Sequence, residues 1–175
     1  MALGTLATAD RAILDFVQQA HLSWLDFGAS LVTLVGQSEV VGTIALAVVV
    51  VRLRARRRDW WIPLLVAVVV AVEVVLKLTV PQAPPPDELA RSVHLFPFLE
   101  APTAFSFPSG HVARVAFLVA ALRWPAGLSA VVVFTMALTR VYLAEHWPSD
   151  VVGGWLLGYG IAAIASRPPR ILLPG

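Results

Sequence analysis

Long apolar runs separated by short polar segments constrain the fold of this chain more than any other feature. Each run approaches the roughly 20 residues that a helix needs to cross a bilayer. Charged residues make up 14% of the chain and hydrophobic residues 58%, with a mean hydropathy of +0.80, so polar side chains are too few to cover a globular surface in water. We therefore expect six membrane-spanning segments, at residues 23–37, 39–53, 60–79, 110–124, 127–144 and 150–166.

A lipid environment also decides the expected fold class. An unpaired backbone group is costly in the bilayer core, and no run alternates with the period of a barrel strand. The sequence predicts an all-α fold, a six-transmembrane-helix bundle formed by a single domain over residues 1–175. Residues 10–21 are amphipathic and predict an N-terminal helix at the membrane interface. Its apolar face consists of Ile13, Leu14, Val17 and Ala20.

The basic residues predict the orientation of the bundle. Five arginines lie between residues 52 and 58, and an excess of Lys and Arg is typical of cytoplasmic loops. With six spans, alternation then places both termini in the cytoplasm. The proline-rich segment 81–106 is expected outside, as an irregular loop over the outer mouth. Four basic residues remain near the outer ends of the spans: Lys77, Arg91, Arg114 and Arg140.

Other features of the composition exclude several classes of function. The chain has no cysteine, so we expect neither a disulfide nor thiol chemistry. A pI near 9.7 is compatible with nucleic-acid binding, but membrane topology accounts better for the basic residues, and we expect no nucleic-acid partner. The N-terminus lacks the basic start and the cleavage site of a secretory signal, and we interpret it as mature sequence.

Two helix starts predict an anion site at the outer end of the bundle. In the string PSGH at residues 108–111, proline and serine precede an apolar run, which is typical of a helix start with Ser109 as its cap. Pro148 is well placed in the first turn of the last span, just after His146. Because helix N-termini attract anions, the two starts together predict a site for one phosphoryl group.

The residues around these starts include groups suited to catalysis. His146 and Asp150 are four residues apart, so on a helical turn the carboxylate can hold one imidazole nitrogen and leave the other free to attack. Arg140 offers a planar charged fork to phosphate oxygens, and Lys77 offers a point charge. His111 is then the candidate proton donor to the departing alkoxide. Ionisable groups inside a membrane are costly and are usually functional.

These strings resemble the motifs of the type-2 phosphatidic acid phosphatase superfamily of membrane lipid phosphatases, which includes undecaprenyl-diphosphate phosphatases and phosphatidylglycerophosphatase B. Its three motifs are written K-x6-R-P, P-S-G-H and S-R-x5-H-x3-D. The second motif is matched in full at 108–111. The third is matched at Arg140, His146 and Asp150, with Thr139 in place of serine. The order of the motifs and the six-helix layout agree along nearly the whole chain.

The resemblance implies a role for each of these residues. It implies that His146 forms a phosphohistidine, with Asp150 as its partner and His111 as the general acid. Water then hydrolyses the intermediate, and neither a metal ion nor another cofactor is implied. The residues implied to bind the phosphate are Lys77, Ser109, Gly110 and Arg140.

The first motif departs from the family pattern. Counted from Lys77, the position of its arginine is occupied by Pro84, so one phosphate ligand is missing. We expect the lost charge to come from Arg114, one helical turn after the PSGH string, or from Arg91 in the outer loop. This substitution is a hypothesis drawn from charge and position alone.

The motifs and the composition together predict an integral-membrane lipid phosphatase of the cell membrane, with its active site on the extracytoplasmic side. Its expected partners are a lipid phosphate and the bilayer, and the oligomeric state is left open. Candidate substrates are a polyprenyl diphosphate, phosphatidylglycerol phosphate and phosphatidate. The alternative is a catalytically impaired protein that binds or transports lipid phosphates, as the proline at position 84 suggests. A vanadium-dependent haloperoxidase shares related motifs, but the membrane composition disfavours it.

Overall fold

A computed structural model describes residues 2–20, 22–93 and 105–166 of the chain. Over these residues every regular element is a helix, which confirms the predicted all-α class. Short 3-10 turns at Leu34–Gly36, Ile62–Leu65 and Asp87–Leu89 extend or connect the helices. The α-helices are α1 (Ala2–Val17), α2 (Ser23–Thr33), α3 (Ser38–Arg54), α4 (Val66–Thr79), α5 (Gly110–Ala121), α6 (Ala126–Tyr142) and α7 (Pro148–Ala165).

The later helices follow the predicted apolar runs closely. Helices α3, α5, α6 and α7 begin and end within three residues of the predictions, as does α4 when the 3-10 turn before it is included. Proline begins α7, where its fixed φ suits the first helical position and its missing N–H costs nothing. Helix α5 ends at Ala121, and the chain reverses at Arg123, whose φ of 57° lies in the left-handed region.

Helix α5 is the centre of the bundle, and most of its residues are buried. It packs on α7 at backbone distance, because Cβ atoms added at Gly154 and Gly158 would collide with carbonyl oxygens at the start of α5. The small residues of the last span predict close packing at Gly153 and Gly160 as well. Gly153 does pack against an aromatic ring, whereas nothing lies within 4 Å of a Cβ added at Gly160.

The arginine-rich connection lies at the end of the bundle opposite the PSGH string. Arg52 donates hydrogen bonds to the carbonyl oxygens of Ala121, at 2.9 Å, and Asp59, at 3.1 Å. Ala121 is the last residue of α5, and the PSGH string runs into its first turn. The predicted separation of the two regions is therefore confirmed. Which end faces the cytoplasm stays a prediction.

The predicted number of six spans is not confirmed. By length and composition, Ile62–Thr79 is the single described helical stretch able to cross a membrane by itself. Ser23–Gly36 and Ser38–Arg54 pass the same test as a pair, with a bend of 46° at the break between them. Helices α5 and α6 are apolar but shorter than a full span.

The first predicted span, 23–37, does not run through the bundle. Near its start Asp26 accepts a hydrogen bond from the Tyr142 hydroxyl at 2.5 Å, and at its end the Gly36 carbonyl accepts one from Arg114 Nε at 2.9 Å. Tyr142 ends α6 and Arg114 lies near the start of α5, so both contacts are at the end of the bundle that holds the PSGH string. The 11 residues of α2 extend only about 16 Å. The predicted crossing is not seen because both ends of the segment contact the PSGH end of the bundle, and a hydropathy window does not register such contacts.

The N-terminal helix lies at the same end. Asp10 accepts hydrogen bonds from Ser149 in the first turn of α7. Gln18 donates through Nε2 to the carbonyl oxygen of Tyr142 at 3.1 Å. The N-terminal helix and the PSGH string therefore lie at the same end of the bundle, whereas the predicted alternation of six spans separates them. The side of the membrane on which the N-terminus lies stays a prediction.

The N-terminal amphipathic helix predicted over 10–21 is not confirmed as such. A helix covers Ala2–Val17 instead, and His21 lies outside the described residues. Leu14 is fully buried in an apolar cluster with α5, α6 and α7, while Phe16 is 71% exposed. The position of α1 at a membrane interface stays a prediction.

The outer loop predicted over 81–106 is described for residues 81–93 and 105–106. Apart from one 3-10 turn, Asp87–Leu89, this part is irregular, as predicted. Residues 94–104 and the C-terminal residues 167–175 lie outside the described part of the chain. The cytoplasmic location of the C-terminus therefore stays a prediction.

Candidate active site

His146 and Asp150 lie together where the chain passes from α6 to α7. Asp150 is the third residue of α7 and is fully buried. Its Oδ2 is 3.4 Å from Nδ1 of His146 and accepts a hydrogen bond from the backbone N–H of Trp147 at 2.9 Å. The carboxylate therefore orients the imidazole, as the four-residue spacing predicts. Nε2 is then the ring atom that can meet a substrate.

The surroundings of His146 favour its neutral form. Burial away from water lowers the pKa of His146 below its ordinary value; the hydrogen bond with Asp150 opposes this shift, and the charge of Arg140 adds to it. At neutral pH the ring is therefore unprotonated. A neutral imidazole has the lone pair that a nucleophile needs.

Ser109 takes the predicted N-cap position of α5, but its side chain does not cap the helix. Its backbone N–H donates to the carbonyl oxygen of Asp150 at 3.0 Å, which ties the start of α5 to the start of α7. Its hydroxyl is fully buried and has no hydrogen-bond partner among the described residues. Such a group is rare in a folded protein, and a bound ligand, ion or water is one of the usual reasons for it.

The two histidines share one site with the predicted cations. Four described residues lie close enough to the ring of His111 to act on it electrostatically: Lys77, Arg114, Arg140 and His146. These residues come from α4, α5, α6 and the connection before α7. The convergence expected from the motifs is thus present in the fold.

Glu73 bridges two of the cations. Its Oε1 is 3.5 Å from Nζ of Lys77, and its Oε2 is 2.6 Å from Nη1 of Arg114. Arg114 also donates through Nε to the carbonyl oxygen of Gly36 at 2.9 Å. A Cβ atom at Gly110 would collide with the Glu73 carboxylate, so the absence of a side chain there makes room for the ion pair. The helical spacing of Glu73 and Lys77 predicts their contact, but nothing in the sequence indicates the contact with Arg114.

Arg140 is held beside the imidazoles by its neighbour Glu145. The two side chains form an ion pair, and the other carboxylate oxygen of Glu145 accepts a hydrogen bond from the Ser92 hydroxyl in the segment between α4 and α5. Arg140 is buried, and its charge acts on both His111 and His146. These contacts bring Arg140 close to both imidazoles, and its binding of a phosphate stays a prediction.

Arg91 does not belong to this cluster. Its guanidinium donates to the carbonyl oxygens of Gln18, at 2.9 Å, and Ala20, at 3.4 Å. It also lies over the ring of Tyr142, 5.5 Å from the centroid. The structure does not bring Arg91 to the cation cluster, because its charge holds the end of α1 against α6. These contacts do not support the prediction that Arg91 replaces the missing motif arginine. Arg114 is the candidate that remains.

The segment after α4, where the family arginine is missing, is bound to both helix starts. The carbonyl oxygen of Ala83 accepts a hydrogen bond from the Trp147 indole at 2.8 Å, and Gln82 donates to the Ser149 hydroxyl at 3.0 Å. The carbonyl oxygen of Gln82 accepts a hydrogen bond from the backbone N–H of Ser106 at 2.9 Å. The motifs predict none of these polar contacts, since they join segments that are distant in sequence.

The assembled groups match the needs of phosphoryl transfer. Cationic side chains can bind a phosphate, an oriented neutral imidazole can attack its phosphorus, and a second imidazole can protonate a leaving oxygen. Within the described ranges, no three or more His, Cys, Asp or Glu side chains are grouped so that they could hold a metal ion.

Comparison with known proteins identifies the family to which this site belongs. A family model described as the PAP2 superfamily matches residues 58–170, a range that contains both helix starts and every predicted catalytic residue. The chain belongs to the PAP2 superfamily. The resemblance inferred from the motifs is therefore confirmed.

Relatives of this PAP2 chain include two named phosphatases. It is 34% identical over 128 residues to decaprenylphosphoryl-5-phosphoribose phosphatase from Mycobacterium tuberculosis, and the match covers 71% of this chain and 70% of the relative. It is 36% identical over 69 residues to an undecaprenyl-diphosphatase from Sulfolobus acidocaldarius. That second match covers 37% of this chain and about a third, 34%, of the archaeal protein.

A solved structure agrees with the PAP2 fold. The crystal structure of a transmembrane PAP2-type phosphatidylglycerolphosphate phosphatase from Bacillus subtilis aligns with a TM-score of 0.76, covering 92% of this chain and 84% of that one. The two sequences are 22% identical, so the likeness establishes the PAP2 fold alone.

Proposed function

We propose that this PAP2 protein is an integral-membrane lipid phosphatase that acts through a phosphohistidine on His146. The observation that carries the proposal is the contact of His146 with a buried carboxylate, at 3.4 Å, in a site shared with a second imidazole and three cations. A protein that only bound or transported lipid phosphates would need the cations but not the oriented nucleophile. The arrangement therefore favours an enzyme.

The proposed reaction has two steps. In the first, Nε2 of His146 attacks phosphorus, an N–P bond forms as the P–O bond to the lipid breaks, and protonated His111 gives its proton to the leaving oxygen. Asp150 stabilises the positive charge that develops on the attacking ring. In the second, neutral His111 takes a proton from water as the water oxygen attacks the phosphohistidine. This step releases inorganic phosphate and restores both imidazoles.

The phosphate subsite is proposed to form at the start of α5. Its cations carry the charge of the phosphate oxygens, and Arg114 supplies the charge that Pro84 does not. Because the nucleophile and the countercharges both belong to the protein, the proposed reaction requires no metal ion or other cofactor. The groups proposed to contact the phosphate are the side chains of Lys77, Ser109, Arg114 and Arg140 and the backbone N–H of Gly110.

A groove between α5, α6 and α7, with a volume of about 670 Å³, offers a path for the lipid tail. It extends from Val151, which directly follows Asp150, to Ser166 just beyond α7. The two relatives described above are named for undecaprenyl and decaprenyl substrates. We therefore propose a polyprenyl-linked phosphate or diphosphate as the substrate, with phosphatidylglycerol phosphate and phosphatidate as the other candidates.

The site is proposed to open on the extracytoplasmic side of the cell membrane. The cluster of arginines at residues 52–58 lies at the opposite end of the bundle and is typical of a cytoplasmic loop. In this arrangement α3 to α7 cross the bilayer, and α1 and α2 lie at the outer end beside the site.

Phosphate release by the purified protein tests the proposal. We expect the wild type, in detergent with EDTA, to release inorganic phosphate from at least one of a polyprenyl diphosphate, a phosphorylated polyprenyl sugar, phosphatidylglycerol phosphate and phosphatidate. His146→Ala is expected to abolish both release and acid-labile labelling of the protein by a ³²P substrate, while unfolding at the wild-type temperature. Saturable binding of these lipids without release would support the binding alternative, and loss of activity in EDTA would contradict metal independence.

A further inference from the structure

Asp10, in the N-terminal helix, is bound directly to the first turn of α7. Its Oδ1 accepts a hydrogen bond from the backbone N–H of Ser149 at 2.8 Å, and its Oδ2 accepts one from the Ser149 hydroxyl at 2.6 Å. Only 8% of the Asp10 surface is exposed. Neither the family motifs nor the proposed reaction accounts for a buried carboxylate that uses both oxygens on this one residue.

Helix α7 has no capping side chain of its own for this N–H. Its N-cap residue is Trp147, which makes no side-chain cap hydrogen bond, and an indole N–H can only donate. The carboxylate of Asp10 therefore does from another helix what an N-cap side chain does within one. It satisfies a free N–H of the first turn and places a negative charge at the positive end of the helix dipole.

The turn that Asp10 binds also carries the catalytic pair. Asp150 follows Ser149 directly and contacts His146, so a shift of this turn would move both catalytic groups. The Ser149 hydroxyl accepts a hydrogen bond from Gln82 as well, in the segment that leaves α4. Asp10 thus completes a polar junction between α1, α7 and the chain that follows the Lys77 helix.

We propose that Asp10 is a positioning residue for the phosphatase reaction. By capping α7 from α1, it holds His146 and Asp150 in the geometry for attack on a phosphate bound at the start of α5. The inference rests on the proposed function of that site. It assigns the N-terminal helix a part in building the active site.

Three variants separate positioning from folding. Asp10→Ala removes both acceptors. Asp10→Asn keeps them in part, since its oxygen can accept the Ser149 N–H and its amide can donate to the Ser149 hydroxyl. Asp15→Ala is the matched control, because Asp15 lies on the same helix but is exposed and pairs with Arg11.

Steady-state phosphate release from the best lipid substrate is the first measurement. We expect Asp10→Ala to lower kcat by about 10–100-fold, as small displacements of reacting groups do, with little change in KM. Asp10→Asn is expected to recover most of the loss, and Asp15→Ala to match the wild type. A wild-type kcat in Asp10→Ala, or a raised KM with kcat unchanged, would overturn the proposal.

Thermal unfolding in detergent tests the contact without relying on activity. Loss of the cap in Asp10→Ala is expected to lower Tm by about 2–4 °C. Adding Ser149→Ala to this variant should lower Tm by little more. If the wild type releases phosphate from none of the lipids, the proposed function fails. In that case the Tm values decide whether Asp10 and Ser149 are coupled. If the Tm loss of the double variant equals the sum of the losses in Asp10→Ala and Ser149→Ala, the inference is overturned.

Discussion

The guanidinium of Arg114 and the carboxylate of Glu73 form a buried ion pair, with Nη1 2.6 Å from Oε2. The pair joins α5 to α4 at the level of the two imidazoles, and the same carboxylate lies 3.5 Å from Nζ of Lys77. In a family member with arginine at position 84, the loop after α4 would supply this positive charge. In this chain Arg114 of α5 supplies a positive charge beside Lys77 instead. The carboxylate offsets the repulsion between these cations, which explains its presence in the proposed phosphate site.

We expect the loss of Arg114 to lower kcat/KM by about 10–100-fold, because a hydrogen bond to a charged group contributes about 1.5–3 kcal/mol. Arg114→Ala by itself would leave Glu73 without its closest partner, and breaking a buried pair costs about 3–5 kcal/mol of stability. The informative variant is therefore Arg114→Ala combined with Glu73→Gln, compared with Glu73→Gln alone.

Arg91→Ala is the matched control, since that guanidinium binds the end of α1 and lies outside the cation cluster. We expect its kcat/KM to stay close to the wild-type value. Phosphate release, measured over a range of substrate concentrations, gives kcat/KM for each variant. Equal kcat/KM in Glu73→Gln and in the double variant would show that Arg114 does not replace the missing motif arginine.

Contacts within one helical turn can be predicted from this sequence, whereas contacts between distant segments cannot. Glu73 and Lys77 are four residues apart on α4 and share a face of that helix. His146 has the same spacing from Asp150 but precedes α7, and Asp150 reaches back to it from the first turn. By charge and by expected level in the membrane, Arg91 and Arg114 are equally good candidates to replace the arginine missing from the first motif. Packing alone separates them, because α1 lies beside Arg91.

Hydropathy predicts where apolar helices begin and end, but it does not show whether they cross the bundle. Helices α3 to α7 follow the predicted runs because their apolar segments are long and bounded by prolines or charges. In α2 the apolar side chains face outward, with Trp24 69% and Phe27 52% exposed. A hydropathy window counts such residues in the same way as core residues. The position of α2 at the site end follows from contacts such as that of Asp26 with Tyr142.

We expect Gly110→Ala to impair catalysis, because its methyl group would take the space of the Glu73 carboxylate. Glu73 would then have to leave Lys77 and Arg114, and kcat/KM should fall by about 10-fold or more, the loss expected for one charged contact. Gly160→Ala is the matched control, because nothing lies within 4 Å of its added Cβ. It should keep full activity and a Tm at or above that of the wild type. Full activity in Gly110→Ala would show that the pocket does not depend on this close approach.

The acid limb of the pH profile of kcat/KM is expected to move to lower pH in Asp150→Asn. Burial and Arg140 lower the pKa of His146, whereas Asp150 raises it through a hydrogen bond and its charge. Removing that charge leaves the lowering effects, so the ring stays neutral to a lower pH. The rate itself should fall by about 10³–10⁴-fold, because the imidazolium formed during attack loses its partner. The wild-type and Asp150→Asn profiles are measured with the same substrate, so that the titration of the substrate itself cancels. A shift of the acid limb to higher pH would contradict a neutral His146 nucleophile.

Filling the groove between α5, α6 and α7 should affect long lipid substrates and spare short ones. Ala130 and Ala163 line this groove from its two sides, and a phenylalanine at either position would occupy the space of two or three methylene groups of a tail. Each buried methylene contributes about 0.8 kcal/mol, so kcat/KM for a long polyprenyl substrate should fall by about 15–60-fold. A water-soluble phosphate ester with a short chain should be hydrolysed at the wild-type rate.

Ala71→Phe is the control, because Ala71 is exposed on α4, away from the groove. Equal losses for long and short substrates, or no loss for either, would place the tail elsewhere.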